Sequence, residues 1–383
     1  MMKPILTAVS KEKEETKAVR ELAEKLNPKS AKFNLVFCSP SFDHAKLGLA
    51  IKKDFGPNTI GCTTAGEICP EGFLQDSIVG MSLNGDQFEV DLITISDLRG
   101  MHEDSAQPLK NKFDSILNKQ NKLLKDGKTF AILLIDGLSV REEEFTSLME
   151  DVLRGVPLVG GSAGDHLKFE STLVYMDGSF HENAAVLAIV TTTLPFELFK
   201  IQHFAETDKR FVITKATPET RTVQEIEGVP AAEFYASQLG LEVSDLNPTI
   251  FSKTPVMLKI GGDYYVRSIQ KMNEDLSLTF YCAIDTGLVL RMGKLKSIAD
   301  TTREVFDKLS EKIGQEKHCI FFECVLRRLE IMELAPLEKE KILELYKKNN
   351  SIGFYTFGEQ FGGVHINQTL TGVAAFGART NRK

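Results

Sequence analysis

Over residues 12–26 apolar positions recur every three to four places, the stripe of an amphipathic helix, and Asn27-Pro28 supplies its stop. The apolar run at 33–38 predicts a strand. Residues 41–55 return to the helical period, with Asp43 placed near the start and Gly56-Pro57 at the end. Two strand-like runs, 78–83 and 88–95, flank Asn84-Gly85-Asp86, a turn sequence that predicts a hairpin between them. The same reasoning predicts a helix over 104–125, a buried strand over 130–135, a helix over 141–153 and a β-rich stretch over 173–217. Beyond Arg221 it predicts helices over 231–239, 297–313 and 337–349, with strands near 256–260, 264–269, 277–282 and 319–324. Helices and strands that take turns in this way indicate a layered α/β fold of the mixed α+β kind: two packed domains whose mixed sheets are flanked by helices. The expected division is an N-terminal helix or extension over 1–30, one domain over 31–214 and a second over 215–383.

One turn recurs. Ile60-Gly61-Cys62-Thr63-Thr64-Ala65-Gly66-Glu67 and Ile352-Gly353-Phe354-Tyr355-Thr356-Phe357-Gly358-Glu359 share the pattern I-G-x-x-T-x-G-E. Leu158-Val159-Gly160-Gly161-Ser162-Ala163-Gly164-Asp165 is a looser copy that keeps a hydroxyl, a glycine and an acid. Each follows a helical segment closed by a breaker and precedes strand-forming sequence, which a repeated helix-turn-strand unit explains. Glycine before a carboxylate lets the backbone turn its N–H groups inward beside the Thr or Ser hydroxyl. Such a turn presents acceptors, a hydroxyl and backbone donors together, the mixture a small zwitterion needs. The same groups also suffice to satisfy the turn's own backbone. Cys62, Thr63, Thr64, Gly66, Glu67, Ser162, Gly164, Asp165, Thr356, Gly358 and Glu359 are therefore candidates for ligand binding, with local capping as the alternative.

Directly after the third copy, residues 362–374 read as a strand whose period of two sets His365, Asn367, Thr369 and Thr371 on one face. That face, with Gln368 beside it, predicts the lining of a polar pocket. Near residue 324 strand passes into helix, and Arg327 or Arg328 is placed to hold a ligand carboxylate and to lower the pKa of Cys324. Arginines on a solvated helix face are the plainer alternative.

Composition narrows the class. At about 150 residues per domain, 383 residues predict two domains, with three as the upper end. The 46 Lys and Arg and 53 Asp and Glu are interspersed, so no basic stripe is offered to phosphate backbones and nucleic acid is not an expected partner. No apolar run approaches the ~20 residues that cross a bilayer, and the N-terminus carries no signal-peptide pattern, so no membrane insertion and a cytoplasmic location are expected. The 6 cysteines show no C-x-x-C pair and no dense spacing, which predicts free thiols and no structural zinc.

Gly61-Cys62-Thr63-Thr64-Ala65-Gly66-Glu67-Ile68, Gly160-Gly161-Ser162-Ala163-Gly164-Asp165, Cys324-Val325-Leu326-Arg327-Arg328, and Gly353-Phe354-Tyr355-Thr356-Phe357-Gly358-Glu359 with Asn367-Gln368-Thr369 stand in the order of the signatures of FIST proteins. The chain resembles that family over roughly residues 30–376. The resemblance implies an N-terminal and a C-terminal FIST domain in a sensory module of bacterial intracellular signalling that binds a small, amino-acid-like ligand. It also implies a separate output partner, such as a histidine kinase or a cyclic-dinucleotide enzyme, since nothing after Lys383 serves as output. It brings no catalytic residue with it.

Some relatives imply an alternative, a haem-based nitric-oxide sensor that regulates a histidine kinase. None of the 7 histidines lies in a C-x-x-C-H motif, so haem b would be non-covalent, with His365 as the axial-ligand candidate and Cys69 as a thiolate candidate. A cysteine- or serine-dependent enzyme is the third class. Cys62 sits in a glycine-flanked turn, and Gly160, Ser162 and Gly164 have G-x-S-x-G spacing, but β-rich sequence follows where a nucleophile elbow needs a helix. A non-catalytic binding protein is the expectation.

Overall fold

The computed structural model describes residues 3–375, and three units of one design follow one another along it. The first runs β1 (Ile5–Ser10), α1 (Glu15–Leu26), β2 (Phe33–Cys38), α2 (His44–Asp54), β3 (Thr59–Thr63), the hairpin β4 (Glu67–Cys69) and β5 (Gly72–Leu74), and β6 (Ile78–Leu83). The second repeats this order as β7 (Phe88–Ile95), α3 (Ala106–Leu123), β8 (Lys128–Ile135), α4 (Glu142–Leu153), β9 (Leu158–Ser162), β10 (Val174–Met176), β11 (Ser179–His181) and β12 (Ala185–Thr192).

The third unit opens with β13 (Phe196–Gln202) and then detours through an insert: β14 (Phe204–Thr217), β15 (Thr222–Ile226), β16 (Val229–Pro230), α5 (Ala231–Leu239), α6 (Pro248–Lys253), β17 (Val256–Ile260), β18 (Asp263–Arg267), β19 (Ile269–Met272), β20 (Leu278–Phe280) and β21 (Val289–Leu295). It resumes with α7 (Ile298–Ile313), β22 (His318–Cys324), α8 (Val325–Glu333), α9 (Pro336–Lys348), β23 (Ser351–Thr356), the hairpin β24 (Glu359–Phe361) and β25 (Val364–Ile366), and β26 (Thr369–Ala375).

In each unit two parallel strands are extended by an antiparallel third strand and by the unit's opening strand. The hairpins are exchanged in a cycle. β10–β11 completes the first sheet on β3, β24–β25 the second on β9, and β4–β5 the third on β23, which gives three six-stranded sheets. No unit can finish its sheet alone.

The central strands β2, β8 and β22 are buried on both faces over most of their length, which is why the sequence shows unbroken apolar runs there. Phe33, Leu35 and Phe37 of β2 meet Phe130, Ile132 and Leu134 of β8 and Ile320 and Phe322 of β22 in one central core. The residues between them face outward onto helices, Val36 and Cys38 onto α1 and α2, Leu133 and Ile135 onto α3 and α4, Phe321 onto α7 and α9. The insert has its own core around Phe211, Val223, Tyr235 and Leu278. Asp43 caps α2 through the Ala45 and Lys46 N–H groups, and Ser297 caps α7 through that of Asp300.

The mixed α/β class and the repeated unit hold, and the helices lie within a few residues of their expected bounds. Two local expectations do not. The Asn84-Gly85-Asp86 segment closes no hairpin: β6 is already flanked by β1 and β2, so it has no free edge, and β7 crosses to pair with β12 in the next sheet. Residues 362–374 are not one strand. Gln368 takes φ +52° between β25 and β26, so His365 and Thr369 belong to different sheets.

Candidate functional site

The three turns meet in the middle of the molecule. The Ala65 N–H donates to the Tyr355 carbonyl (2.9 Å), the Gly164 N–H to that of Thr63 (3.0 Å) and the Phe357 N–H to that of Ser162 (3.2 Å), closing a ring with one bond from each unit. Gly61, Gly160 and Gly353 pair with Val36, Leu133 and Phe321, and a methyl group on any of the three would overlap the partner's carbonyl oxygen. Their glycine is needed for close strand approach rather than for contact with a guest.

The ring also fixes which residues correspond, and it corrects the reading of the second copy. Ser162 stands where Thr63 and Tyr355 stand. Val174, not Asp165, takes the place of Glu67 and Glu359, because residues 163–173 form a loop between β9 and its hairpin.

The turn side chains serve their own surroundings. The buried Glu67 carboxylate accepts from Thr64 Oγ1 (2.5 Å), Ser77 Oγ (2.6 Å) and the Ser77 N–H (3.3 Å). Glu359 repeats the clamp with Thr356 Oγ1, Thr369 Oγ1 (2.6 Å) and the Thr369 N–H (3.2 Å). Burial pushes the Glu67 carboxyl up to about 7 and the Glu359 carboxyl up to about 8. Asp165 accepts from the N–H groups of Phe169 (2.9 Å), Glu170 (2.7 Å) and Ser171 (3.2 Å) and so ties down its own loop. Thr63 Oγ1 accepts from the Leu173 N–H (3.0 Å). Gly66 adopts φ +124°, and Gly164 packs directly on Ala65.

Arg327 is a buried tie between elements. Its Nε donates to Glu323 Oε1 (2.8 Å), Nη2 to Thr302 Oγ1 (2.7 Å) and Nη1 to His203 Nδ1 (2.9 Å), while His203 Nε2 meets Glu330 (2.7 Å). That leaves it holding Glu323 rather than offering a fork to a guest. Burial pushes the Cys324 thiol well up, opposite to the lowering expected from a nearby arginine.

The hairpins differ where their register makes them comparable. Ile68 faces Phe73 in the first, Tyr175 faces Phe180 in the second, and Gln360 faces His365 in the third. The first member of each pair lies opposite the packing glycine of its host strand, Gly353, Gly61 or Gly160. Two pairs are apolar; the third is a buried polar pair.

Gln360 Nε2 donates to Ser162 Oγ (2.9 Å) and His365 Nδ1 (3.1 Å), but its Oε1 has no partner. Accepting at Nδ1 leaves the imidazole proton on Nε2, and burial pushes His365 down to about 4, so the ring is neutral at pH 7. The ring packs over Gly358, and Asn367 lies beside the same glycine. Among the buried amide side chains of the described residues, Asn367 alone lacks a partner on both its oxygen and its nitrogen.

The insert covers this hairpin. Ser268 Oγ donates to Gln368 Oε1 (2.9 Å), and Gln368 Nε2 donates to the Ser252 carbonyl (2.6 Å). Arg267, 5% exposed, donates from Nη1 to the His365 carbonyl (3.4 Å), and its Nε has no partner. Arg221 closes the seam further along on Glu142 (3.1 Å) and Glu143 (2.8 Å) of α4.

An unmet buried hydrogen-bonding group costs about 1–3 kcal/mol. Four such groups, Gln360 Oε1, Asn367 Oδ1 and Nδ2, and Arg267 Nε, are gathered at one seam. Gly358, His365, Asn367, Gln368 and Thr369, singled out in the sequence, lie together here. Gln360 and Arg267 were missed. Aligning the first and third turns exposes Gln360, since it replaces Ile68, whereas Arg267 lies in the insert and has no motif. A groove of about 940 Å³ lies elsewhere, lined by Leu98, Met101, Arg141, Glu144, Phe145 and Leu148, and includes none of the residues singled out.

His365 does not fit haem: Nδ1 accepts from Gln360, and the Nε2 edge lies against Gly358. Cys69 is buried in β4 with its thiol pushed up by burial, which disfavours a thiolate ligand. The Cys62 thiol is likewise pushed well up by burial, and the element next after Ser162 is the strand β10, not a helix. Among the described residues no helix is long and apolar enough to cross a membrane.

Comparison with known proteins agrees with this architecture. The FIST N domain matches residues 32–229 and the FIST C domain residues 231–362. An uncharacterized protein of Methanocaldococcus jannaschii is 24% identical over 351 residues, covering 82% of this chain and 67% of the relative. FIST domains are associated with the sensing of small ligands in signal transduction. With both domains present in order along its length, this chain belongs to the FIST family.

Proposed function

We propose that this protein is a non-catalytic sensor of a small polar ligand, held where the third hairpin meets the insert, and that it acts on a separate signalling partner such as a histidine kinase or a cyclic-dinucleotide enzyme. The observation that carries this reading is the set of unmet hydrogen-bonding atoms on Asn367 and Gln360, buried on a hairpin whose two counterparts are apolar. A ligand with both donors and acceptors, amino-acid-like in that respect, completes those bonds. Because Gln368 and Arg221 join the insert to the three-unit core at the same seam, a guest there alters how tightly the two are held. That change is the signal a partner reads. Six buried free cysteines suit a reducing, cytoplasmic setting.

The test is thermal unfolding against an amino-acid panel. A ligand at 100 times its Kd stabilises by about 2.7 kcal/mol, and Asn367→Leu is expected to abolish the response while the variant still folds. A compound that shifts wild type and Asn367→Leu equally, or a panel without effect, contradicts the reading.

A further inference from the structure

Arg267 stands apart from the other arginines withdrawn from solvent. Arg221 holds Glu142 and Glu143, and Arg327 holds Glu323. Around the Arg267 guanidinium, by contrast, no carboxylate of the described residues comes within 4.0 Å. Nη1 makes one 3.4 Å bond to a carbonyl, and neither Nε nor Nη2 donates to any described residue. A cation taken out of water without a counter-charge is costly to keep, and proteins pair such groups or use them. The carbonyl that Nη1 meets belongs to His365, whose imidazole is neutral in the tautomer Gln360 sets, and the carboxylate that acts on the same ring, Glu143, is already held by Arg221.

Resting on the reading of the seam above, we infer that the ligand carries a carboxylate, gripped by the Nε–Nη2 edge of Arg267, while Asn367 and Gln360 read its neutral part. Two parallel N–H donors on one edge of a planar guanidinium match the two oxygens of a carboxylate. One unpaired cation balances one negative charge, and a phosphate dianion would bring a second into a buried site that has no further free cation. Arg267 belongs to the insert and Asn367 to the third unit, so a carboxylate ligand bridges the two bodies of the molecule.

The experiment compares acids with their own amides on the full chain: acetate, L-lactate and succinate against acetamide, L-lactamide and succinamide, with inorganic phosphate as a further arm, all at one ionic strength. The expected result is a melting midpoint raised by about 2 °C or more by at least one carboxylate and not by its amide. Arg267→Met should lose that response and, without additives, melt at or above wild type, because it removes an unpaired buried charge. Arg267→Lys, which keeps charge without the fork, should retain a reduced response. The inference is overturned if amides act as well as acids, if phosphate alone acts, if Arg267→Met keeps the response, or if no carboxylate shifts wild type. An amide that acts and is lost in Asn367→Leu overturns the carboxylate but leaves the seam in place. An acid that acts equally on Asn367→Leu overturns the seam.

Discussion

The first and third hairpins share a frame and differ in what it holds. Both pair in the same register, both clamp a buried glutamate between two hydroxyls, and both are followed by a residue near φ +52°, Asp76 in one and Gln368 in the other. In the first, Ile68 and Phe73 face each other and Gln75 is exposed. In the third, Gln360 and His365 take those places, and Asn367 is buried without partners under the insert. The acid clamp is therefore part of the scaffold, and the buried polar pair is what the scaffold has been adapted to carry.

The largest expected effect comes from giving the first hairpin the chemistry of the third. Ile68→Gln with Phe73→His places polar groups where nothing answers them and should cost about 3–5 kcal/mol in urea unfolding. A cost below about 1 kcal/mol would mean that the frame tolerates polarity anywhere.

The reverse exchange, Gln360→Ile with His365→Phe, should stabilise the ligand-free protein by about 1–2 kcal/mol and abolish its ligand response. Loss of stability would show that the polar pair is structural.

The shared clamps predict a pH dependence. Glu67 and Glu359 keep their protons to about 7 and about 8, against 4.5 as the ordinary value, so between those limits the folded state binds protons that the unfolded chain has released. Stability must then fall as pH rises, by about 1.4 kcal/mol per pH unit for each group still protonated in the fold. His203 and His365, both pushed down to about 4 by burial, act oppositely below their ordinary value of 6.5, where stability falls with falling pH. Urea midpoints measured from pH 6.5 to 8 lie above the histidine range and read the raised glutamates together, Glu142, also pushed up to about 7 by burial, included; Glu359→Gln should flatten the slope over the wider part of that range.

The smallest effect is expected at the exposed Lys253–Glu333 pair, where the insert touches α8: Lys253→Ala should change stability by less than about 0.5 kcal/mol.

Much of the frame was legible because it rests on local rules. The caps Asp43 and Ser297, the breaker at Asn27-Pro28 and the apolar runs of the doubly buried strands each carry their own signal. What was not legible depends on pairing between distant segments. Asn84-Gly85-Asp86 has hairpin chemistry, but only the occupied edges of β6 forbid the hairpin. The displacement of Asp165 appears only through the cyclic bonds between turns, and the exchange of hairpins leaves no mark in any one unit. At the seam, His365 and Asn367 were visible as polar residues amid an apolar stretch. Arg267 was not, because it reaches the site from an insert almost a hundred residues upstream in sequence.

Side-chain amide NMR of protein labelled with nitrogen-15 at Asn and Gln reports most directly on whether the third hairpin is the binding element. On titration with a compound that raises the melting midpoint, the signals of Asn367 and Gln360 should move while that of Gln75, the counterpart of Asn367 in the first hairpin, stays in place. Stabilisation with Asn367 and Gln360 unmoved, or with Gln75 shifting as much as they do, would contradict the account.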